Sequence, residues 1–189
     1  MNLYNREDVV KLLEEHVTTK QLLKHSYAVE GSMKHYGELF NESVEAYGTC
    51  GLLHDIDFEK FPEDHPGIGL RWLEEAGYDA DFVKAVKGHG SVDETRESKM
   101  AKTLFAVDEL SSFVIAAALM RPTRFEGMQV KSIKKKMKAK AFAAAVNRET
   151  IKLGAEELNL TLEEHIQNVI DALIKHEEYL NTIGLSMVK

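Results

Sequence analysis

The chain has 189 residues, of which 44% are hydrophobic and 29% charged, and its formal net charge is −7 at pH 7. This length supports one domain with a buried core, and the acidic balance argues against general nucleic-acid binding. Because Cys50 is the single cysteine, an intrachain disulfide and a cysteine-rich zinc site are excluded. The sequence lacks the basic and apolar start of a signal peptide and any apolar run long enough for a membrane span. We therefore expect a cytoplasmic protein that does not contact membranes.

Helical periodicity dominates the chain, which contains only three prolines and few stretches of strand-like alternation. The sequence therefore predicts an all-α fold. In chain order, the predicted helices run from Arg6 to His16 after an Asn5 cap, from Thr19 to about Leu39, from an Asn41 start to Asp55, from Pro66 to Gly77, from Asp79 to Lys87, and from Ser98 to Met120. Two or three further helices follow, with Asn147 and Thr161 as caps and Thr161 and Glu164 as a capping box.

Candidate site residues and charge are unevenly distributed along the chain. We predict a metal-binding catalytic core over 1–121 and a C-terminal helical extension over 122–189 packed on it, with the junction between Pro122 and Ala139.

Residues 84–140 contain thirteen Lys and Arg but six Asp and Glu, and much of this excess lies in KSIKKKMKAK at 131–140. Because that cluster has no interleaved aromatic residues, a solvated helix face is a better interpretation than a nucleic-acid patch. A basic middle segment would still suit an anionic substrate.

Several common metal and phosphate motifs are absent from the sequence. None of the eight histidines has a glutamate three residues before it, and HExxH does not occur. This excludes the zincin metalloproteases and the Glu-x-x-His di-iron bundles. No GxxxxGK[ST] loop is present, and Gly67-Ile68-Gly69 lacks the later glycine of a dinucleotide fingerprint. A glycine-rich phosphate cradle is therefore not expected.

Four dispersed side chains remain as candidate metal ligands: His25, the adjacent His54 and Asp55, and Asp108. Asp108 lies in TLFAVDELSSFVIAAALM, the most apolar predicted helix, where an unpaired carboxylate is costly to desolvate. Two imidazoles and two carboxylates suit a transition metal with open coordination positions. Taken singly, each residue also permits a structural role, as a core histidine, a helix-end pair or a buried hydrogen-bonding group.

The order of these residues resembles the HD-domain metal-dependent phosphohydrolases, and within them the HDIG-type branch. The similarity covers Thr19 to Arg121, with HDID at 54–57 where the branch has HDIG. DHPGIGLRWLEEAG at 64–77 and VKGHGS at 86–91 look like two further motifs of that branch, and the resemblance implies that His65 and His89 are additional ligands. The implied fold is an HD-domain helical bundle with additional C-terminal helices. In HDIGK-type members, a lysine at the position of Phe58 can hold substrate phosphate. This chain departs from those members because it has phenylalanine there.

The resemblance implies one or two divalent transition metal ions, and mixed histidine and carboxylate ligation suits Fe, Mn, Ni, Co or Zn. In the dinuclear arrangement, Asp55 would bridge one ion held by His25, His54 and Asp108 and a second ion held by His65 and His89. We predict a phosphohydrolase that cleaves a small phosphate mono- or diester by metal-activated water, with a nucleotide as the favoured substrate. The alternatives are a di-iron HD-fold oxygenase and a non-catalytic nucleotide-binding module.

The remaining predictions concern catalysis, substrate phosphate and the other histidines. Asp55 and Asp57 are the candidate catalytic residues, and Asp57 would orient the water or protonate the leaving group, with a loop cap as the equal alternative. The candidates for contacting substrate phosphate are Lys84, Lys87, Arg96, Lys102, Arg121 and Arg124, although surface placement is the better interpretation of any one of them. Structural roles are predicted for His16, His35, His165 and His176. The oligomeric state is open, with a homodimer as one alternative.

Overall fold

The computed structural model describes residues 2–189, and within them it contains only helices, turns and loops, which confirms the predicted all-α class. The helices of this range are α1 (Arg6–His16), α2 (Lys20–Phe40), α3 (Val44–Leu53), α4 (Gly67–Ala76), α5 (Ala80–Lys87), α6 (Lys99–Leu119), α7 (Val130–Met137), α8 (Arg148–Glu157) and α9 (Leu162–Thr182). None of these helices is long and apolar enough to cross a membrane, for the residues that the structure describes.

Capping side chains fix several of the helix starts. The Asn5 side chain accepts hydrogen bonds from the backbone N–H groups of Glu7 and Asp8 at the start of α1. Thr161 and Glu164 form the predicted capping box at the start of α9. Because the first N–H groups of a helix have no partner within the helix, these side chains determine where α1 and α9 begin.

Asn41 ends α2 and does not begin α3. Its backbone lies in the left-handed region, with φ 54° and ψ 41°, and its N–H donates to the carbonyls of Gly37 and Glu38. Ser43 caps α3 by accepting a hydrogen bond from the N–H of Ala46. The prediction that Asn41 opens α3 is therefore wrong, because asparagine tolerates the left-handed conformation that ends a helix as well as it caps a helix start.

The segment predicted as a junction, from Pro122 to Ala139, contains the short helix α7. Ile133 is fully buried beneath this helix, whereas Lys131 and Lys135 are exposed. The basic cluster therefore turns lysine side chains to solvent while one isoleucine anchors the helix to the core.

The long helices α2 and α6 lie at the centre of the bundle. α2 packs against α3, α6 and α9, and α6 packs also against α5 and α8. One hydrophobic cluster includes Leu13, Leu53 and Phe113 together with Ile151 and Leu173 of the C-terminal helices. The C-terminal helices thus share a core with the preceding ones, and the boundary between residues 121 and 122 stays a prediction.

Two glycines allow close contacts between the helices. A Cβ atom at Gly51 would lie 2.8 Å from backbone atoms of Val29 and Glu30, so α3 lies directly against α2. A Cβ atom at Gly154 would lie 2.5 Å from the Cα atom of Ala106, so α8 lies directly against α6. The first contact brings the end of α3, where His54 and Asp55 lie, against the face of α2.

Candidate metal centre

All six predicted metal ligands meet at one place in the bundle. Each comes from a helix or from the residues directly after or before one, so the packing of the long helices sets their positions. His25 lies in α2 and Asp108 in α6, and the others lie at helix ends: His54 and Asp55 after α3, His65 before α4 and His89 after α5. Residues far apart in the sequence therefore form one cluster.

The first ligand group combines two histidines with two carboxylates. The Nε2 atoms of His25 and His54 lie 3.0 Å apart. Asp108 Oδ1 lies 3.1 Å from His25 Nε2 and 3.6 Å from His54 Nε2. Asp55 Oδ2 lies 3.3 Å from each of the same two nitrogens. Both histidine nitrogens thus lie within 3.6 Å of an oxygen of each carboxylate.

The second ligand group uses the other oxygen of Asp55. Asp55 Oδ1 lies 3.3 Å from His65 Nε2 and 3.4 Å from His89 Nε2. The two histidine nitrogens are themselves 3.1 Å apart. Asp55 therefore directs one carboxylate oxygen to each group, which is the geometry expected of a bridging ligand.

The opposite nitrogen of each histidine is held by the protein. His54 Nδ1 donates to the carbonyl of Gly51 at 2.8 Å, and His89 Nδ1 donates to the carbonyl of Val86 at 2.5 Å. Side chains hold the other two rings. His65 Nδ1 lies 2.6 Å from Asp57 Oδ1, and His25 Nδ1 lies 2.9 Å from Ser112 Oγ. Partners of this kind orient metal-ligating histidines and leave Nε2 free to bind an ion.

The donor spacing fits metal coordination. Nitrogen and oxygen donors about 2.0–2.2 Å from a shared ion lie about 3.0–3.6 Å apart at ordinary coordination angles. The distances within both groups fall in this range, and three overlapping sets of histidine and aspartate donors each lie within 4.8 Å of one another. The cluster is therefore positioned to hold a metal ion.

The carboxylates of Asp55 and Asp108 give the cluster its negative charge. Burial acts to raise the pKa of each, but their contacts with His25 and His54 hold both pKa values well below the ordinary range. Within residues 2–189 their ion-pair partners are histidines alone, with no lysine or arginine. A divalent cation would balance two carboxylates that pair with no lysine or arginine in the described part of the chain.

One side of the cluster is open to solvent. The side chains of Asp108 and His25 are 24% and 18% exposed, whereas those of His54 and His89 are 0% and 3% exposed. His54 and His89 therefore form the floor of the site. The open side of the cluster faces α2 and α6, which carry His25 and Asp108.

Asp57 lies behind His65 and not on the open side. It is fully buried, and its Oδ1 accepts from His65 Nδ1 at 2.6 Å while its Oδ2 accepts from the N–H of Gly69 at 2.6 Å. Both oxygens are thus engaged by His65 and the backbone of Gly69. The predicted role of Asp57 in orienting water or protonating a leaving group does not fit this geometry, which favours the alternative of a loop cap that also positions His65.

Arg96 was predicted as a contact for substrate phosphate, but its guanidinium is committed to the fold. The residue is 9% exposed, and its Nη2 donates to Glu157 Oε1 at 2.7 Å. Its Nη1 donates to the carbonyls of Gly88 and Ser91, each at 3.0 Å. Arg96 therefore joins the loop that carries His89 to α8, and the prediction that it binds phosphate does not fit.

The other five predicted phosphate contacts are not bonded to the metal-ligand candidates. Lys87 lies 3.5 Å from the carboxylate of Glu94. Arg121 and Arg124 donate to backbone carbonyls near the end of α6. Within residues 2–189, no hydrogen bond or ion pair joins a metal-ligand candidate to any of Lys84, Lys87, Lys102, Arg121 and Arg124. Their contact with phosphate stays a prediction.

Sequence reasoning missed Lys20 and Lys24, the lysines that line a cavity shared with His25. They precede His25 by five residues and one residue on α2, which places all three at the start of the same helix. Proximity to His25 along a helix was the signal that could have identified them.

The four histidines with predicted structural roles all lie outside the groups that could hold a metal. Two of them are more buried than their polar sequence surroundings indicated. His165 Nε2 donates to the carbonyl of Ala106 at 2.8 Å and its Nδ1 accepts from the hydroxyl of Tyr36 at 2.6 Å. His176 Nε2 lies 3.2 Å from the carboxylate of Glu30. Both are structural groups of the interior.

Comparison of the chain with protein-family models, with curated proteins and with solved structures gives no significant match. A functional interpretation therefore depends on the geometry of the site and on the sequence pattern that led to it.

Proposed function

We propose that the chain is a metal-dependent phosphohydrolase of the HD-domain type, which cleaves a small phosphate mono- or diester. The observation that carries the proposal is the position of Asp55. Its two oxygens lie 3.3 Å from the nitrogens of His25 and His54 and 3.3 and 3.4 Å from those of His65 and His89, respectively. A carboxylate shared between two ligand groups suits a pair of ions about 3.5–4 Å apart, the arrangement used by many phosphoester hydrolases.

In such a site, the protein side chains have different roles. Two divalent ions, when bound, supply an activated water and neutralise charge on the phosphoryl oxygens. Asp55 sets the separation of the two ion positions, and His54 and His89 close the floor against solvent. His25 and Asp108 border the open side, where the phosphate group is admitted. Because the water is the nucleophile, no serine or cysteine is required.

The proposal is tested by metal content and phosphate release. Protein expressed with added Mn, Fe, Ni, Co or Zn should carry one to two equivalents of transition metal per chain and release phosphate from members of a panel of phosphate esters that includes nucleotides. Asp55→Ala should reduce this release to the uncatalysed level, because it removes a ligand from both ion positions, and should leave the helical circular dichroism spectrum in place. Asp64→Ala removes an exposed carboxylate from the neighbouring loop and should leave turnover unchanged.

Several outcomes would contradict the proposal. These are protein without metal after supplemented expression, full turnover in Asp55→Ala, and no phosphate release from any ester. Oxygen consumption by iron-loaded protein with a mixed-valent EPR signal would support the oxygenase alternative instead. Tight nucleotide binding without turnover would support the non-catalytic module.

A further inference from the structure

A cavity between α2 and α6 adjoins the metal centre. Its volume is about 480 Å³, which is within the roughly 300–1,000 Å³ of small-molecule sites. The lining on α6 runs from Ser112 to Leu119, about 10 Å along the helix axis, and Ser112 follows Asp108 by one helical turn. His25 lines the cavity while its Nε2 faces Asp108 at 3.1 Å. The cavity therefore begins at the open side of the metal centre.

The wall of the cavity is mainly aliphatic. Two lysines, His25 and two neutral polar side chains, those of Gln21 and Ser112, complete it. Among the lining residues in the described part of the chain there is no carboxylate and no phenylalanine, tyrosine or tryptophan. The aliphatic members of the wall are Ala28, Ile115, Ala116, Leu119 and Met187.

The C-terminal segment supplies part of this wall. Met187 is buried, and its N–H donates to the Glu177 carboxylate of α9 at 2.8 Å. Lys24 is half-buried at the cavity and donates to the backbone carbonyl of Lys189. The packing of the buried Met187 therefore fixes this part of the wall.

The chemistry of the wall favours one type of ligand. The two lysines, of which Lys24 also donates to Lys189, and the lack of a carboxylate among the described lining residues suit an anion. Aliphatic side chains gain free energy by burying methylene groups, whereas a nucleobase is held best by aromatic stacking and by several hydrogen-bonding groups. This wall offers aliphatic side chains that can bury methylene groups. It lacks the phenylalanine, tyrosine and tryptophan side chains on which a nucleobase would stack.

We propose that the cavity binds the organic part of the substrate and that this part is an aliphatic group, so that the protein hydrolyses phosphate monoesters of aliphatic alcohols. The inference rests on the proposed phosphohydrolase function and replaces the nucleotide that the sequence pattern favoured. In the reaction, a water oxygen forms a bond to phosphorus and the bond from phosphorus to the alkyl oxygen breaks. One proton of the water ends on the alcohol and the other on inorganic phosphate.

The test is a series of substrates with increasing alkyl length. Metal-loaded protein is assayed for phosphate release from methyl, butyl, hexyl and octyl phosphate and from adenosine monophosphate. We expect kcat/KM to rise by about two- to fourfold per methylene until the cavity is filled, and octyl phosphate to exceed adenosine monophosphate. Hydrolysis of the esters with a flat dependence on length, or with a preference for adenosine monophosphate, would overturn the inference and leave the proposed function intact. No hydrolysis of any ester would overturn both.

Two pairs of matched variants test whether the cavity causes the preference for long alkyl chains. Ala116→Phe fills the cavity and should remove most of the advantage of octyl over methyl phosphate, whereas Ala80→Phe places the same side chain on an exposed position of α5 and should keep it. Leu119→Gln should reduce the same ratio, while Met120→Gln, at a neighbouring residue that does not line the cavity, should not. Because Leu119 is 47% exposed, its substitution spares the core. Equal ratios in all four variants would overturn the assignment.

Discussion

Glu30 and Asp55 are both largely buried carboxylates beside histidine side chains, but their partners differ. Glu30 accepts hydrogen bonds from Arg6 Nε at 2.6 Å and Lys34 Nζ at 2.8 Å, and it lies 3.2 Å from His176. Within residues 2–189, the ion-pair partners of Asp55 are histidines alone. The Glu30 cluster therefore contains its own permanent cations, whereas the cluster around Asp55 has none among the described residues.

This difference separates a structural cluster from a candidate metal site. Arginine and lysine keep their charge at neutral pH, so Glu30 stays ionised, and although burial acts to raise its pKa, His176 and Arg6 hold that pKa well below the ordinary range. At the metal centre, the Nδ1–H groups of His54 and His89 are already donated to carbonyls. Their Nε2 atoms therefore face the carboxylate of Asp55, and a bound divalent cation would supply the permanent positive charge that Arg6 and Lys34 supply to Glu30.

The largest expected change in stability comes from removing the carboxylate of Glu30. Glu30→Ala leaves Arg6 and His176 without their partner, so we expect the free energy of unfolding to fall by about 3–5 kcal/mol, or roughly 6–20 °C in Tm. Metal content per folded chain should stay unchanged, because Glu30 is not a ligand. Thermal unfolding and metal analysis of the same samples measure both quantities.

Glu38→Ala is the control for this variant. Glu38 lies on the same helix and pairs with Lys175 at 2.8 Å, but both side chains are well exposed, at 46% and 66%. Because surface ion pairs contribute little, the change in unfolding free energy should stay below about 1 kcal/mol. Loss of metal in Glu30→Ala would show that the two clusters are not independent.

A third buried group extends the comparison to a histidine without a carboxylate. Burial lowers the pKa of His165 to about 4. An unfolded chain protonates this histidine below about pH 6.5, whereas the folded chain does so only near pH 4. Stability should therefore fall by about 3 kcal/mol as the pH decreases across this window and then level off. Chemical denaturation of metal-free wild type and His165→Gln should give a steeper pH dependence for the wild type, and equal slopes would contradict the assignment.

Residues whose role follows from their position in a helix could be predicted from the sequence. Residues whose partners are brought near only by tertiary packing could not. Asp108 stood out because a carboxylate in an apolar helix needs a partner, and the caps at Asn5 and Thr161 were readable from local spacing. The Glu30 cluster was not predicted, since a glutamate amid α2 has the pattern of a surface residue. The pairing of Arg96 with Glu157, which are 61 residues apart, depends on how α8 lies on the core.

Asp57 offers a finer test of the same comparison, because it acts on one half of the metal cluster. Its side-chain hydrogen bonds within residues 2–189 go to His65 Nδ1 and to the N–H of Gly69, and none goes to His25, His54 or Asp108. Hydrogen bonds to the far nitrogen of a histidine raise its basicity and fix its orientation, and their loss typically lowers metal affinity by about 10–100-fold. The expected effect is therefore confined to the ion position formed by His65, His89 and Asp55 Oδ1.

Asp57→Asn should weaken this second position by about 10–100-fold while the position formed by His25, His54 and Asp108 keeps its affinity. Titration of metal-free protein with Zn or Mn should then resolve one unchanged and one weakened equivalent. Asp64→Asn alters an exposed aspartate of the same loop and should change neither. Normal affinity at both positions together with a loss of turnover would instead support the role in proton transfer, because a general acid affects the reaction without holding a ligand in place.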